Sequence, residues 1–393
     1  MKTNAVSLFI TIFGLAASGC SQIRVSLPPV PETAYTQSEI SSVIGLADNE
    51  TSEDTTAEAV ETTADVRDFD EMMTVNSSEE FFALLREARN GLVHEMHLKI
   101  TDYSEEYYDI NNFEKGQYTL ISQGKRWGSM AHMDYTFVYS ESYAVTRAIE
   151  EPSLAYRLTD EQKAVIERLK ALQPQLTHDG MSDYEKELAI HNYLIANFEY
   201  DTNAVVNGEV SEYATRISDF LDTHKGVCEA YAYTFKALCN LSGIECHVIA
   251  GTLDGVGHAW NLIKLDGNYY HVDVTADDPV PDEAGHVFYN YLNLTDARIS
   301  RTHTFENKWY ECNATQYDYF IRNGLTVSSS AEFSAFIERE LSAGKTDIVF
   351  RAVNYYVNGD DIGSALNYKG FSSYTIAGDT NDPNGDFEIR LTR

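Results

Sequence analysis

Apolar residues recur at helical spacing in several stretches of this chain and alternate like strands in the stretches that follow. "SSEEFFALLREARNGL" opens on serine and carries Phe81, Leu84, Leu85 and Ala88 one helical turn apart. "HEMHLKI" and "DYTFVY" then alternate as strands do. The same grammar returns near the C-terminus. "SSAEFSAFIERELSAGKTDIVFRAVNYY" places Phe333, Phe336, Ile337 and Leu341 on the same spacing before a strand, and "QYTLI" near Tyr118 is matched by "SYTIA" near Tyr374. Two similar α/β modules, about 75–146 and 325–393, are therefore expected to flank a central region as binding or packing units.

The centre, about 152–311, has a different pattern. Thr159 stands three residues before Gln162, and Ser182 three before Glu185, both in the arrangement of a capping box. The second helix presents Tyr184, Leu188, His191, Ile195 and Phe198 as its apolar stripe. "EYATRISDFLDTH" predicts a third helix, and "CEAYAYTFKALCNL" a fourth that ends at Ser242-Gly243. "ECHVIAG", "HAWNLIKL" and "YYHVDVT" follow as strands. Helices first and an antiparallel sheet afterwards predict an α+β fold.

Cysteine placement changes the picture. In the fourth helix Cys228, Ala232, Phe235 and Cys239 share a face, but Cys228 sits in the first turn. There the helix dipole and unpaired N–H groups favour an anion, which lowers a thiol's pKa. Cys239 lies near the other end, where the dipole opposes a thiolate, and reads as core. Cys239 and Cys246 could be a disulfide or two buried thiols across a helix–strand turn. No cysteine has zinc-ligand spacing, so neither a metal nor a cofactor is expected.

A thiolate nucleophile needs a base, and the base an orienting group. If Asp266-Gly267 forms a two-residue hairpin turn, Leu265 faces Asn268 and Trp260 faces Asp273. His258 and Asp273 then become diagonal neighbours on one face, about 7–8 Å apart at Cα. Ile263, Leu265, Tyr270, Val272 and Val274 occupy the other face and suit burial. A lone strand histidine usually reads as structural; together with a cysteine at a helix start it reads as chemistry.

"GVCEAYAYTFKALCNLSGIECHVIAG" and "GHAWNLIKLDGNYYHVDVTADDP" together resemble the transglutaminase-like superfamily of papain-type cysteine enzymes. "YNYLNLTDARISRTH" resembles the segment that closes bacterial members. The resemblance covers about Ser182 to His303. It implies a papain-like core with Cys228 as nucleophile, His258 as general base and acid, and Asp273 as the carboxylate that orients His258. The implied reaction is acyl transfer from a carboxamide or peptide, with the N–H of Cys228 as one oxyanion donor. Hydrolysis by a protease or amidase, transfer to an amine by a transglutaminase, and an inactive binding scaffold all occur on this framework. Tyr200, Tyr231 and Trp260 are substrate-pocket candidates, with ordinary packing as the alternative for each. The acidic run "DDPVPDE" reads as a solvated loop, without EF-hand spacing.

The N-terminus supplies an address. "MKTNAVSLFITIFGLAASGC" has Lys2, an apolar run from Val6 to Ala17, and small residues before Cys20. The run is short for a membrane-spanning helix and resembles a bacterial lipoprotein signal at residues 1–20, with Cys20 as the lipidated residue. Residues 21–70, rich in Thr, Ser, Asp and Glu, read as an acidic, disordered tether. The expected location is extracytoplasmic, in a bacterial cell envelope, with a lipid anchor in the membrane and a peptide, protein or cell-wall peptide as substrate. Asp and Glu number 61 against 29 Lys and Arg, a net charge of -32, which argues against nucleic acid as a partner.

Overall fold

In the computed structural model the described residues are 69, 71–104, 107–110, 118–206, 209–278, 280, 287–305, 310–357, 359–377 and 387–393. The expected leader, Cys20 and nearly all of the acidic tether lie outside them. Among the described residues no helix is long and apolar enough to cross a membrane. The chain divides into two compact units. The described residues of one fall within Val30–Thr275 and Leu294–Ala314, those of the other within Ala276–Asn293 and Thr315–Arg393.

The first unit begins with strand β1 (Met73–Val75), helix α1 (Ser78–Asn90) and strands β2 (Glu95–Ile100), β3 (Tyr118–Trp127) and β4 (Met130–Tyr139). Ser77 caps α1 by accepting the N–H of Glu80, and the Glu80 carboxylate accepts the N–H of Asn76. The first bond satisfies a donor that a helix start leaves open, and the second ties the residue before the cap to the first turn. Phe81, Leu84, Leu85 and Ala88 are buried with Met96, Leu98, Ile100, Ala131, Tyr135 and Phe137 of the sheet, whose order is β1-β2-β4-β3.

A helical layer follows: α2 (Glu141–Glu150), α3 (Asp160–Leu176), α4 (Asp183–Asn197), α5 (Ile217–Thr223) and α6 (Cys228–Leu241). Both expected capping boxes are present, at Thr159–Gln162 and Ser182–Glu185. The expected boundary at residue 146 falls inside α2, which belongs to this layer. Its Glu141 accepts the N–H of Ser218 at the start of α5 (2.8 Å), and its Glu150 pairs with Lys236 of α6 (2.8 Å). The α4 stripe is rotated from expectation: Glu187, Ile190 and Leu194 join Tyr184, His191 and Ile195 in burial, while Leu188 is half-buried. On α6 every residue from Cys228 to Cys239 is buried, so this helix has no solvent face. Its one cation, Lys236, is neutralised by Glu150. Burial opposes that carboxylate's charge, but Lys236 and Arg147 hold its pKa below the usual value.

Strands β5 (Cys246–Leu253), β6 (Val256–Leu265), β7 (Asn268–Val272) and β8 (His303–Phe305) build an antiparallel sheet ordered β7-β6-β5-β8 within this unit. Asp266 and Gly267 both have positive φ, and Leu265 pairs with Asn268, as a tight two-residue hairpin requires. The chain leaves the unit after Thr275 and returns at Leu294, so the expected continuous 152–311 domain is interrupted. The return puts β8 on the free edge of β5.

The second unit contains β9 (Thr326–Val327), α7 (Ser330–Ser342), β10 (Asp347–Ala352), α8 (Gly359–Lys369), β11 (Ser373–Ala377) and β12 (Phe387–Thr392). Its sheet order, β9-β10-β12-β11, has the connectivity of the N-terminal sheet. Correspondence extends to single bonds at a constant offset. Ser329 caps α7 as Ser77 caps α1, Glu332 accepts the N–H of Ser328 as Glu80 does that of Asn76, and Val353 N–H reaches Val327 O as Thr101 N–H reaches Val75 O. At Arg351, the counterpart of Lys99, a buried guanidinium pairs with Asp318 (2.6 Å), donates to the carbonyl of Asn290 (3.3 Å) and lies over the Phe320 ring (4.2 Å). The expected solvated loop at "DDPVPDE" is corrected at its start: Asp277 and Asp278 are buried, and Asp277 accepts the N–H of Tyr291 (3.0 Å).

Docking of β8 depends on Gly251, whose added Cβ would stand 2.1 Å from the carbonyl oxygen of Thr304 and 2.9 Å from the Trp260 ring. Backbone cannot yield as a side-chain end can. Gly251→Ala is expected to cost about 1–3 kcal/mol of stability, read as a lower urea midpoint in equilibrium unfolding.

Candidate active site

The segment entering α6 is clamped on both sides. Tyr200 pairs in parallel with Gly226, Asp201 N–H donates to Gly226 O (2.9 Å), and Val227 N–H donates to Ala214 O (3.0 Å). Gly226 is needed here because a Cβ would meet Phe220 at 2.6 Å and Ala230 at 2.8 Å. This clamp fixes where α6 begins. Cys228 is its first residue, so the Cys228 N–H has no intrahelical acceptor and the positive end of the dipole lies at the sulfur.

One turn further along α6, Ala232 O accepts a buried hydrogen bond from Asn261 Nδ2 (3.0 Å), which ties the helix to β6. His258 lies on that strand. Its Nε2 donates to Asp273 Oδ2 at 2.7 Å, with both side chains buried. Residues 258 and 273 lie beyond the paired part of the hairpin, which ends at Asn261–Val272, yet the register carries them to the same face. With Nε2 engaged by the carboxylate, Nδ1 is the nitrogen suited to exchange a proton with a thiol. Cys228 is 7% exposed and His258 and Asp273 are 0% exposed, so of the three only Cys228 retains any surface.

Three residues that sequence reasoning did not assign complete the surroundings. His303, first residue of β8, also reaches Asp273 Oδ2 through Nε2, at 3.0 Å. Burial opposes charge on Asp273, but His258 and His303 hold its carboxyl well below the usual carboxylate range. Burial likewise lowers the pKa of His303, against the pull of Asp273. Behind this pair stands a second one. Trp260 Nε1–H donates to His271 Nδ1 (3.0 Å), so the His271 proton is on Nε2, which donates to Asp296 Oδ1 (2.8 Å). Asp296 Oδ2 in turn accepts the N–H of Cys312 (3.0 Å). His271 is kept neutral by burial, only partly offset by Asp296.

The pocket candidates separate. Trp260 is buried with its ring 6.0 Å from His258, inclined 21°, and 4.7 Å from His303, a wall beneath the histidines. Tyr231 is a correction: it has no exposed surface and packs on Phe220 (4.7 Å), which makes it core. Tyr200 is half-buried in the short strand Glu199–Tyr200, against the cluster containing Val227. Cys239 and Cys246 are free, buried thiols, which decides between the two expected alternatives.

Among the described residues, two groups offer clustered ligand atoms, His258–Asp273–His303 and His271–Asp296–Cys312. In the first, separations of 2.7 and 3.0 Å are hydrogen-bond distances to one shared oxygen. In the second, His271 Nε2 and Asp296 Oδ1 are 2.8 Å apart, again a hydrogen-bond distance. Both sets suit hydrogen bonding better than a metal ion.

The sequence model of the transglutaminase-like superfamily matches residues 170–274. Kyphoscoliosis peptidase of Mus musculus is 31% identical over 126 residues, 29% of this chain and 19% of that protein. Its Homo sapiens namesake is 31% identical over 119 residues, 27% and 18% of the two chains. The chain thus spans about a fifth of the length of these curated relatives. Among solved structures, a TGase aligns at 17% identity over 47% of this chain and 51% of its own, with a TM-score of 0.26. The periplasmic domain of TgpA from Pseudomonas aeruginosa aligns at 16% identity over 41% and 66%, with a TM-score of 0.24.

Buried ionisable groups make stability depend on pH. His271 and His303 have folded pKa values below 6.5, so their contribution is complete above pH 6.5 and is lost as pH falls from there toward the folded values. Asp273, depressed from 3.8, adds stability that persists to lower pH and is lost only below 3.8. The unfolding free energy from urea titration should be flat between about pH 7 and 8 and fall below pH 6.5, by up to about 1.4 kcal/mol per pH unit for each ring. His271→Gln, which can both accept from Trp260 and donate to Asp296, should remove part of that slope.

Proposed function

Residues 170–274 form a transglutaminase-like domain, and from that premise we propose that this protein is a cysteine hydrolase cleaving peptide or carboxamide bonds through Cys228, His258 and Asp273. The observation that carries the reading is the buried 2.7 Å contact between His258 Nε2 and Asp273 Oδ2, on a strand bonded to the helix that Cys228 opens. His258 takes the thiol proton at Nδ1, and the sulfur forms a bond to the acyl carbon. The carbonyl oxygen gains charge against the Cys228 N–H. As the C–N bond breaks, the imidazolium returns its proton to the departing amine. Water, deprotonated by His258, then cleaves the thioester and regenerates the thiol. Asp273 stays ionised throughout and offsets the imidazolium charge. The two curated relatives are named peptidases, which favours water over an amine as the acceptor.

We place the enzyme outside the cytoplasm of a bacterium, held to the envelope membrane by lipid on Cys20. The acidic stretch after Cys20 would give the catalytic part reach from the membrane.

Alkylation by iodoacetamide tests the site without a known substrate. Cys228 should label faster than it does in the denatured chain, His258→Ala should remove the excess, and Cys228→Ala should remove the label. Ordinary labelling that ignores His258→Ala would falsify the reading. Once a substrate is found, His258→Ala should lower turnover by about 100- to 10,000-fold. Separately, Cys20→Ser should move the expressed protein from the membrane to the soluble fraction; unchanged partitioning would remove the anchor.

A further inference from the structure

We propose that His303 is a positioning residue of the active site, a second histidine whose N–H fixes the Asp273 carboxylate and keeps the catalytic proton on His258. This rests on the cysteine-hydrolase reading above.

Two imidazoles meet one carboxylate oxygen: His258 Nε2 at 2.7 Å and His303 Nε2 at 3.0 Å from Asp273 Oδ2. All three side chains are buried, so each contact is made without competition from water. Thr302 fixes the tautomer of His303. Its hydroxyl is 2.9 Å from Nδ1 and can donate there, which leaves the ring proton on Nε2, facing Asp273. His303 therefore serves as a neutral donor. The backbone holds it in place, since Asp254 N–H donates to Thr302 O (2.8 Å) and His303 pairs with Leu253.

The distribution of charge gives this arrangement its use. During acyl transfer His258 must hold a proton and then release it to the leaving group. A buried carboxylate with one donor would compete for that proton, because burial favours its neutral form. A second N–H stabilises the anion and lowers its basicity. His303 is held neutral first by burial, against the pull of Asp273, and then by His258, whose ring centroid is 5.6 Å away. Among the described residues, the titratable groups acting on this pair are His258 from β6, which bonds Asp273, and His271 from β7, which with His258 opposes charge on His303. His271 is itself held by Trp260 and Asp296.

The test is the pH profile of Cys228 alkylation in the full chain, with His303→Phe, which fills the space without an N–H, and His303→Gln, which keeps one. The phenylalanine variant should move the acid limb up by about one pH unit, so that labelling on that limb falls about tenfold. The glutamine variant should stay within about twofold of wild type. A wild-type acid limb in the phenylalanine variant overturns the proposal and leaves His303 as packing. Should that variant not fold, Thr302→Val carries the test: freeing the tautomer should shift the limb the same way by less, and no shift overturns the proposal.

Failure of the hydrolase reading is separable. It would show as ordinary labelling of wild-type Cys228 that ignores His258→Ala. The ring nitrogens of His258, followed by 15N NMR in the Cys228→Ala protein, then decide the point without the thiol. A change in Nε2 shift on His303→Phe supports the hold on Asp273, and no change overturns it.

Discussion

A carboxylate with no access to water must be matched by donors, and Asp273 is matched by two rings from two different strands. Much of the central sheet can be understood from that requirement. The Asp266-Gly267 turn sets the register that brings His258 opposite the end of β7. Gly251 lets β8 approach closely enough to deliver His303. Trp260 fills the space beneath both histidines and is itself fixed by His271 and Asp296. Each of these residues would be an ordinary core residue alone; together they keep one charge buried and directed.

Helix α6 solves a related problem on the other side of the site. A helix with no solvent face has nowhere to put a cation except beside an anion, and Lys236 finds Glu150 of α2. The start of the helix is as constrained as its body. Pairing of Gly226 with Tyr200 and the bond from Val227 to Ala214 determine which residue takes the first helical position. Sliding the sequence by one residue would turn the Cys228 side chain by about 100° around the helix axis. Reactivity and packing are thus specified by the same short segment.

What the sequence disclosed follows the range of the interactions. Capping boxes at Thr159 and Ser182 and the hairpin register are local, and they could be read from spacing. The burial of α6 on every side is not legible in its sequence, because an apolar stripe shows where burial begins but not where a second layer covers the rest. Tyr231 was a pocket candidate for the same reason. His303 escaped notice because its strand pairs with one fifty positions earlier, His303 opposite Leu253, and no turn links the two registers. His271 shares the face of Asp273 by strand alternation, but its partner Asp296 belongs to the returning segment and no local spacing links the two.

Repetition at a constant offset carries a cost that the catalytic region does not share. Two copies of one α/β unit in a single chain give every strand a second, nearly correct neighbour during folding. Discrimination must come from positions where the copies differ. Arg351 is such a position: its flat guanidinium engages Asp318, a carbonyl and the Phe320 ring at once. Lys99, its counterpart, is a point charge on a flexible stem and cannot satisfy that set. A strand exchanged between copies would leave Asp318 buried with an ill-fitting cation. A single divergent side chain thus gives the two strands different requirements, a geometric distinction that the shared hydrophobic pattern does not supply.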